Sequence, residues 1–409
     1  MRVGLHACNR PFACVVGDLS LVRALGRGGI PVALATSERD SNVGLSRYCE
    51  AVVPTPSWVD DPEAALGAVI AWSKEQRETP VLFYQGDHDL LAASRGRDRL
   101  ALHLRFVLPP AELVEDLVNK LRFAALAERR KLPVPLTRTL YRGKDLAAEL
   151  RRWNCFPCVL KPATRSPSFT EVSRGRKAVR LETRTELEDL VAIIDGYETD
   201  FVLQAAVEGG EDRIVSYHAY IRPGGQAMAD FTGRKLRTAP RLYGFSTYVE
   251  ITDDQEVRRV GRAVLEELGF SGVVKLDFKR DKRDNQLYLL EINPRFNLWH
   301  HAGAVAGVSI PALVYRDCVE PGAAQPAGSA RPGVRWASLR DDAHGSKEYR
   351  AAGELSLARW LLEMATVDVN EGFLFRDPLP GLADLGGTLK RKLARLLNRP
   401  SMRSLPQVP

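Results

Sequence analysis

Val273-Val274-Lys275-Leu276-Asp277-Phe278 is followed, after the wholly polar stretch Lys279 to Gln286, by Leu287-Tyr288-Leu289-Leu290-Glu291-Ile292-Asn293-Pro294-Arg295. Two apolar runs around a short polar spacer predict a β-hairpin. In both runs the even-numbered residues are apolar: Val274, Leu276 and Phe278, then Leu290 and Ile292. Successive strand residues point to opposite faces, so those five go to the core and Lys275, Asp277, Glu291 and Asn293 share the other face. That face gathers two carboxylates and an amide oxygen, the hard donors that Mg²⁺ takes alongside phosphate oxygens and water. A solvated strand face with a Lys275–Asp277 ion pair would use the same residues. It does not account for the strand end, where Pro294 holds Asn293 extended and Arg295 sets a fixed cation beside the carboxylates.

Upstream lie further charged positions on apolar strands. Phe156-Pro157-Cys158-Val159-Leu160-Lys161-Pro162 is an apolar run with a lysine at its mouth, placed to meet a phosphate as a point charge. Taken alone, a surface lysine with a packed stem would look the same. Asn119-Lys120-Leu121 offers a second lysine on a helical stretch. In Thr232 to Pro240, Lys235 and Arg237 alternate onto one face, where they would hold a phosphate or a substrate carboxylate, or simply guard an edge strand.

The rest of the chain arranges itself around these runs. Phe12 to Gly17, Leu19 to Leu25 and Ile30 to Ala35 read as strand, helix and strand, with Pro80 to Tyr84 and Arg105 to Leu108 as further parallel strands. Residues 1–111 are therefore expected to form an open α/β domain. Gly17 stands alone, so the dinucleotide G-x-G-x-x-G is missing. Glu112 to Arg130 has one helical period, and residues 112–318 mix strands, helices and hairpin signals in an α+β body. Residues 319–409 read as a linker and a helical appendage, with Pro321 to Pro332 as the linker and Ser356 to Met364 as a helix. Leu389 to Leu397 is basic and amphipathic; a solvated helix packed on the body is expected there, because so short a stretch binds anionic lipid weakly.

The stretch Leu290 to Arg295 resembles the metal motif of ATP-grasp enzymes, and Asp277 stands where their third metal ligand stands. Its continuation Phe296-Asn297-Leu298-Trp299-His300-His301 is similar to a bacterial branch that includes D-aspartate ligase-like carboxylate–amine ligases. The resemblance implies an ATP-grasp fold, α/β and α+β, with an N-terminal open parallel-sheet (pre-ATP-grasp) domain. It implies ATP and Mg²⁺, with Mn²⁺ as an alternative, and metal ligands Asp277, Glu291 and Asn293. Lys161 and Lys120 match the family's phosphate-contacting lysines. Backbone groups of Gln204, Ala205 and Val207 match its adenine hinge, and Glu211, with Glu208 in competition, its ribose carboxylate. Arg295 and Lys275 are implied as the catalytic cations. The expected reaction transfers the γ-phosphate to a small carboxylate and joins the acyl phosphate to an amine, releasing ADP and phosphate. One departure is the phosphate-covering loop: Ala163 to Lys177 holds a single glycine, Gly175, where the family's loop is glycine-rich.

Composition narrows the alternatives. The 409 residues include 27% charged and 45% hydrophobic side chains and a net charge of +7, as in an ordinary folded protein that handles anions. A nucleic-acid partner is not expected, since no basic base-reading helix or aromatic stacking surface is present. Met1 to Gly17 does not read as a signal peptide, so a cytoplasmic location without stable membrane insertion is expected, and a homodimer is allowed. Cys155 and Cys158 lack a second pair for zinc and are expected to be packing residues. The rivals are an ATP-grasp enzyme of carboxylase or carbamoyl-phosphate type, which would depend on bicarbonate, and a non-catalytic nucleotide-binding module, which would not need the complete carboxylate set.

Overall fold

The computed structural model describes residues 10–38, 41–142, 150–163, 167–173, 176–194, 199–371 and 374–386. The expected basic helix at Leu389 to Leu397 lies outside them.

Four parallel strands form the first sheet, in the order Cys49–Pro54, Val32–Thr36, Ala13–Val16, Val81–Tyr84. Their fully buried Val, Ala and Leu residues suit a sheet covered on both faces. The expected Arg105 to Leu108 strand shrinks to a single bridge, Val81 to Arg105. In exchange, Cys49–Pro54 and the helix Pro62–Lys74 were not anticipated. The strand order reverses direction between Ala13–Val16 and Val81–Tyr84, which opens a crevice at their carboxyl ends. Asp18 sits there, its side chain capping the helix Leu19–Gly26 through the Ser20 and Leu21 N–H groups.

The long helix read at Glu112 to Arg130 is two helices, Ala111–Val118 and Lys120–Arg129. Asn119 is extended between them and its Oδ1 accepts the Leu121 and Arg122 N–H groups at 3.0 and 3.1 Å. An Asn-capped restart is a break that hydrophobic periodicity cannot register. It puts Lys120 at the first position of a new helix.

Two further sheets carry the rest. One has four strands in the order Thr137–Leu140, Phe201–Ala205, Cys158–Pro162, Val179–Leu181. Cys158 is buried in its core and Cys155 packs against that core, as expected of packing residues. The other has seven strands, with the hairpin Gly272–Arg280 and Leu287–Asn293 at one edge and Arg335–Ala337 and Val369–Asn370 at the other. Residues beyond 319 are thus more than a helical appendage, since they complete this sheet. They also reach the first domain: Arg23, fully buried, donates to Asp377 at 2.9 Å, and Asp377 accepts from the Arg47 N–H at 2.8 Å.

Glu371 belongs to the same seam. Its carboxyl accepts from Ser20 Oγ at 2.7 Å, and burial together with the neighbouring Asp18 carboxylate pushes its pKa up to about 8. A carboxyl raised on folding contributes stability that is complete below the unfolded range and is lost as pH rises through the folded value. Melting temperature should therefore fall as pH rises from about 5 to about 8 and level off above, and Glu371→Gln should flatten that fall. Parallel pH profiles for parent and variant would remove Glu371 from the linkage.

Candidate active site

The hairpin supplies the first half of the site. Gly272–Arg280 pairs antiparallel with Leu287–Asn293 on one side and with Ile214–Ile221 on the other, so that Asp277 lies opposite both Glu291 and Ser216, and Lys275 opposite both Asn293 and His218. Directly opposed residues share a face. The four hairpin side chains expected on one face are therefore brought together.

Asp277 is 1% exposed. It accepts from Lys275 Nζ at 2.9 Å and from Ser216 Oγ, and Lys235 Nζ lies 3.4 Å away. Burial opposes its charge, but the two ammonium groups and the hydroxyl outweigh burial and hold the carboxyl well below its usual range. For Lys235, too, burial is outweighed, by Asp277, Glu291 and Glu211, and its pKa rises. Lys275 is lowered, first by burial and then by Lys235. Its ammonium stands 5.1 Å from the centre of the Trp299 ring, a cation–π contact. Trp299 comes this close because Gly233 has no side chain: a Cβ there would lie 2.6 Å from the indole. Behind Lys275, His218 stacks on Phe231 at 4.4 Å, and Asn297 Nδ2 lies 3.4 Å from its ring nitrogen. Burial first, then the nearby Lys275, pushes the His218 pKa well below its ordinary value.

Glu291 differs from Asp277. It is exposed, and among the described residues its carboxylate accepts one hydrogen bond, from Asn293 Nδ2 at 3.1 Å. Among the described residues no lysine or arginine forms an ion pair with it. A carboxylate set directly against a second carboxylate, reached by nearby lysines only across a gap, is an arrangement a divalent cation would relieve. Asn293 Oδ1 accepts from Arg295 at 3.3 Å, and Arg295 Nε donates to Asp87 at 2.5 Å. Arg295 is thus fixed beside the carboxylates, as expected, but by a residue of the first domain.

The second half comes from the four-stranded sheet. Lys161 Nζ donates to Gln204 Oε1 at 2.9 Å, and Gln204 Nε2 donates to Thr137 Oγ1 at 3.0 Å. Lys120 Nζ donates to the Pro162 carbonyl at 2.6 Å, just beyond Lys161. Burial lowers the Lys161 pKa, while Glu291 raises it across the gap. Lys120, Lys161, Gln204, Glu291 and Asn293 line one cleft of about 170 Å³. Within the expected hinge, the Ala205 N–H is bound to Leu136 O at 2.8 Å and the Ala206 N–H to Pro157 O at 2.9 Å. Val207 is buried. Glu211 is buried near Lys235 and Lys279, which offset part of the upward push of burial on its pKa. Glu208, its competitor, is paired with Arg180 at 2.8 Å.

Two readings of the alternation fail, both at β-bulges. The hairpin register shifts between Asp277 and Phe278, so Phe278 opposes Leu289. Leu289 is fully buried with Ile292, while Leu290, expected in the core, lines the cleft. The register also shifts between Lys235 and Arg237. Lys235 reaches Asp277, but Arg237 pairs with Asp342 at 2.7 Å and with Glu363. A bulge adds one residue to one strand and inverts everything after it. Of the loop Ala163 to Lys177, residues 164–166 and 174–175 lie outside the described residues; 167–172 form a helix whose Phe169 enters the core.

Ser216, His218, Thr137, Asp87 and Lys279 were missed. Lys279 was legible, since it continues the odd-numbered series Lys275, Asp277 and is buried on the strand rather than in the loop. Ser216 and His218 left a trace as polar residues spaced by two in an apolar run. Asp87 and Thr137 left none.

Residues 227–340 match a family model described as "ATP-grasp in the biosynthetic pathway with Ter operon". A D-aspartate ligase of Enterococcus faecium (strain Aus0004) is 28% identical over 214 residues, 51% of this chain and 51% of its own length. The chain thus spans about half the length of the curated relative it matches. Among solved structures, the N5-carboxyaminoimidazole synthetase of Staphylococcus aureus with ADP superimposes at a TM-score of 0.61 and 13% identity, over 84% of this chain and 87% of the other. The L-amino acid ligase of Bacillus licheniformis does so at 0.57 and 17% identity, over 78% of each chain. The chain has the ATP-grasp fold.

Proposed function

We propose that this chain is an ATP-dependent carboxylate–amine ligase that works through an acyl phosphate. The observation that carries the reading is the Glu291 carboxylate, opposite Asp277 and without an ion pair among the described residues, facing Lys161 of the other sheet across one cleft. The sequence similarity to a D-aspartate ligase supports the choice of reaction.

In this reading ATP lies between the two sheets. Backbone groups of Gln204, Ala205 and Val207 meet the adenine, Glu211 accepts from the ribose, and Lys161 and Lys120 contact the phosphates. Asp277, Glu291 and Asn293 hold Mg²⁺, which when bound draws charge off the transferring phosphoryl group. A substrate carboxylate oxygen takes the γ-phosphoryl group, and the bond to the ADP oxygen breaks. The amine nitrogen then bonds to the acyl carbon, phosphate leaves with the C–O electron pair, and the nitrogen loses a proton. Lys275, fixed on Trp299, and Arg295, fixed by Asp87, stabilise the charge developing on the phosphoryl group and on the tetrahedral intermediate. This reading takes small acids, amino acids among them, as the substrates.

The test is product identity with a panel of amino acids and small acids. ADP and phosphate should form, and hydroxylamine should trap a hydroxamate when the right acid is present; AMP and pyrophosphate would reject the mechanism. Mg-ATP should also raise the melting temperature, because a ligand bound only by the folded state stabilises it. Lys161→Ala should shrink that rise, and an unchanged rise would take Lys161 out of the phosphate site.

A further inference from the structure

Lys275 rests on a side chain that itself needs fixing. Its ammonium stands over the Trp299 ring, and Trp299 leads the short helix Trp299–Val305. The first N–H groups of a helix have no partner within it, and Leu298, at the cap position, gives them no side-chain acceptor. Asn297 supplies the acceptors. Its Oδ1 takes the Trp299 N–H at 3.1 Å, and its carbonyl takes the His300 N–H at 3.2 Å.

With Oδ1 on the helix, Asn297 Nδ2 faces the other way. It lies 3.4 Å from His218 Nδ1 and 3.5 Å from His300 Nε2. An amide nitrogen carries two donors, and a neutral imidazole offers one acceptor. Burial first, then Lys275, pushes both imidazoles down, His300 to about 3, so each ring keeps an acceptor for Asn297. One buried side chain therefore holds the Trp299 backbone and both rings. His218 in turn lies 5.1 Å from the Trp299 ring, centre to centre, and stands opposite Lys275 on the neighbouring strand. The remaining ring nitrogens, His218 Nε2 and His300 Nδ1, are buried and meet no partner among the described residues. Apolar side chains would fill the same space without leaving donors unmet, so packing alone does not account for the network.

We propose that Asn297 is a positioning residue: through Trp299 and His218 it fixes the Lys275 ammonium beside Asp277 for phosphoryl transfer. The role presupposes the reading of Lys275 as a cation of that step. Trp299 on one side and Asp277, 2.9 Å away, on the other leave the ammonium a single place. Misplacing such a group by about 1 Å costs on the order of a hundredfold in rate. ATP binding, which Lys120 and Lys161 serve from the other sheet, does not pass through Asn297.

The experiment is a double-mutant cycle of Asn297→Ala and Lys275→Met, read as kcat and KM for ATP from phosphate release with pooled L- and D-amino acids. If the pool gives no turnover, affinity for Mg-ADP with aluminium fluoride, a mimic of the transferring phosphoryl group, takes the place of kcat. Asn297→Ala should lower kcat by about tenfold to a hundredfold, while KM for ATP and the Mg-ATP melting shift stay at the parent values. In the Lys275→Met background it should cost nothing further. Asn297→Ser keeps an acceptor for the Trp299 N–H and carries the same comparison if the Ala variant misfolds. Losses that multiply in the double variant would overturn the proposal and leave the reading of Lys275 standing. So would a parent kcat in Asn297→Ala, or a rise in KM alone. A parent kcat in Lys275→Met would instead take down the reading of Lys275, and the positioning role with it.

Discussion

Glu291→Gln should fold like the parent protein and lose turnover by roughly several hundred-fold or more, the scale of loss when a group stabilising transition-state charge is removed. Glu291 is exposed, and among the described residues its carboxylate accepts only from its neighbour Asn293, so the fold gains little from its charge. Gln keeps the shape and the acceptor oxygen, but it removes the carboxylate that a cation between the phosphates and the hairpin requires. Circular dichroism and melting would check the fold, and phosphate release would report turnover. Asp277→Asn is a less clean test, because it leaves Lys235 and Lys275 buried without their counter-ion. If Glu291→Gln keeps the parent rate in Mg²⁺ with an intact fold, the metal-site assignment is wrong.

The second large effect is on stability. Asp342 is fully buried and accepts from Arg237 at 2.7 Å, Thr247 at 2.8 Å and Trp360 at 2.8 Å. Asp342→Ala should cost about 2–4 kcal/mol, because it takes from a buried guanidinium one of its two carboxylate partners, leaving only Glu363, and leaves two further donors unmet. Replacing both partners, Arg237→Met with Asp342→Leu, should recover much of that loss. The Mg-ATP melting shift should persist in the single variant, since neither residue lines the cleft. Chemical denaturation measures the cost, and a loss below about 1 kcal/mol would show that the pair is not what joins the C-terminal helices to the large sheet.

Beside the two sites stand two cations that the sequence presents alike. Lys235 and Arg237 are both cations on one basic strand, spaced by two. One reaches Asp277 of the hairpin; the other is locked into a structural pair two residues on, because the register shifts between them. The cost of a bulge is set by what packs on either side of the strand, and one-dimensional alternation carries no record of it.

The amino-acid pattern by itself determined the hairpin, the carboxylates on its outward face, the lysine at the mouth of the Cys158–Pro162 strand and the parallel order of the first domain's chain start. Each rests on local physics: period-two alternation, a polar turn and short connections between apolar runs. Tertiary structure alone decided the rest. Asn119 splits a periodic helix by capping a new one, so Lys120 lands at the strand end. Asp87 holds Arg295 across 208 positions, and the C-terminal segment closes both the large sheet and the seam at Arg23. Such pairings are set by burial and charge between elements distant in the chain, where the penalty for an unmatched buried group selects the partner and no local pattern points to it.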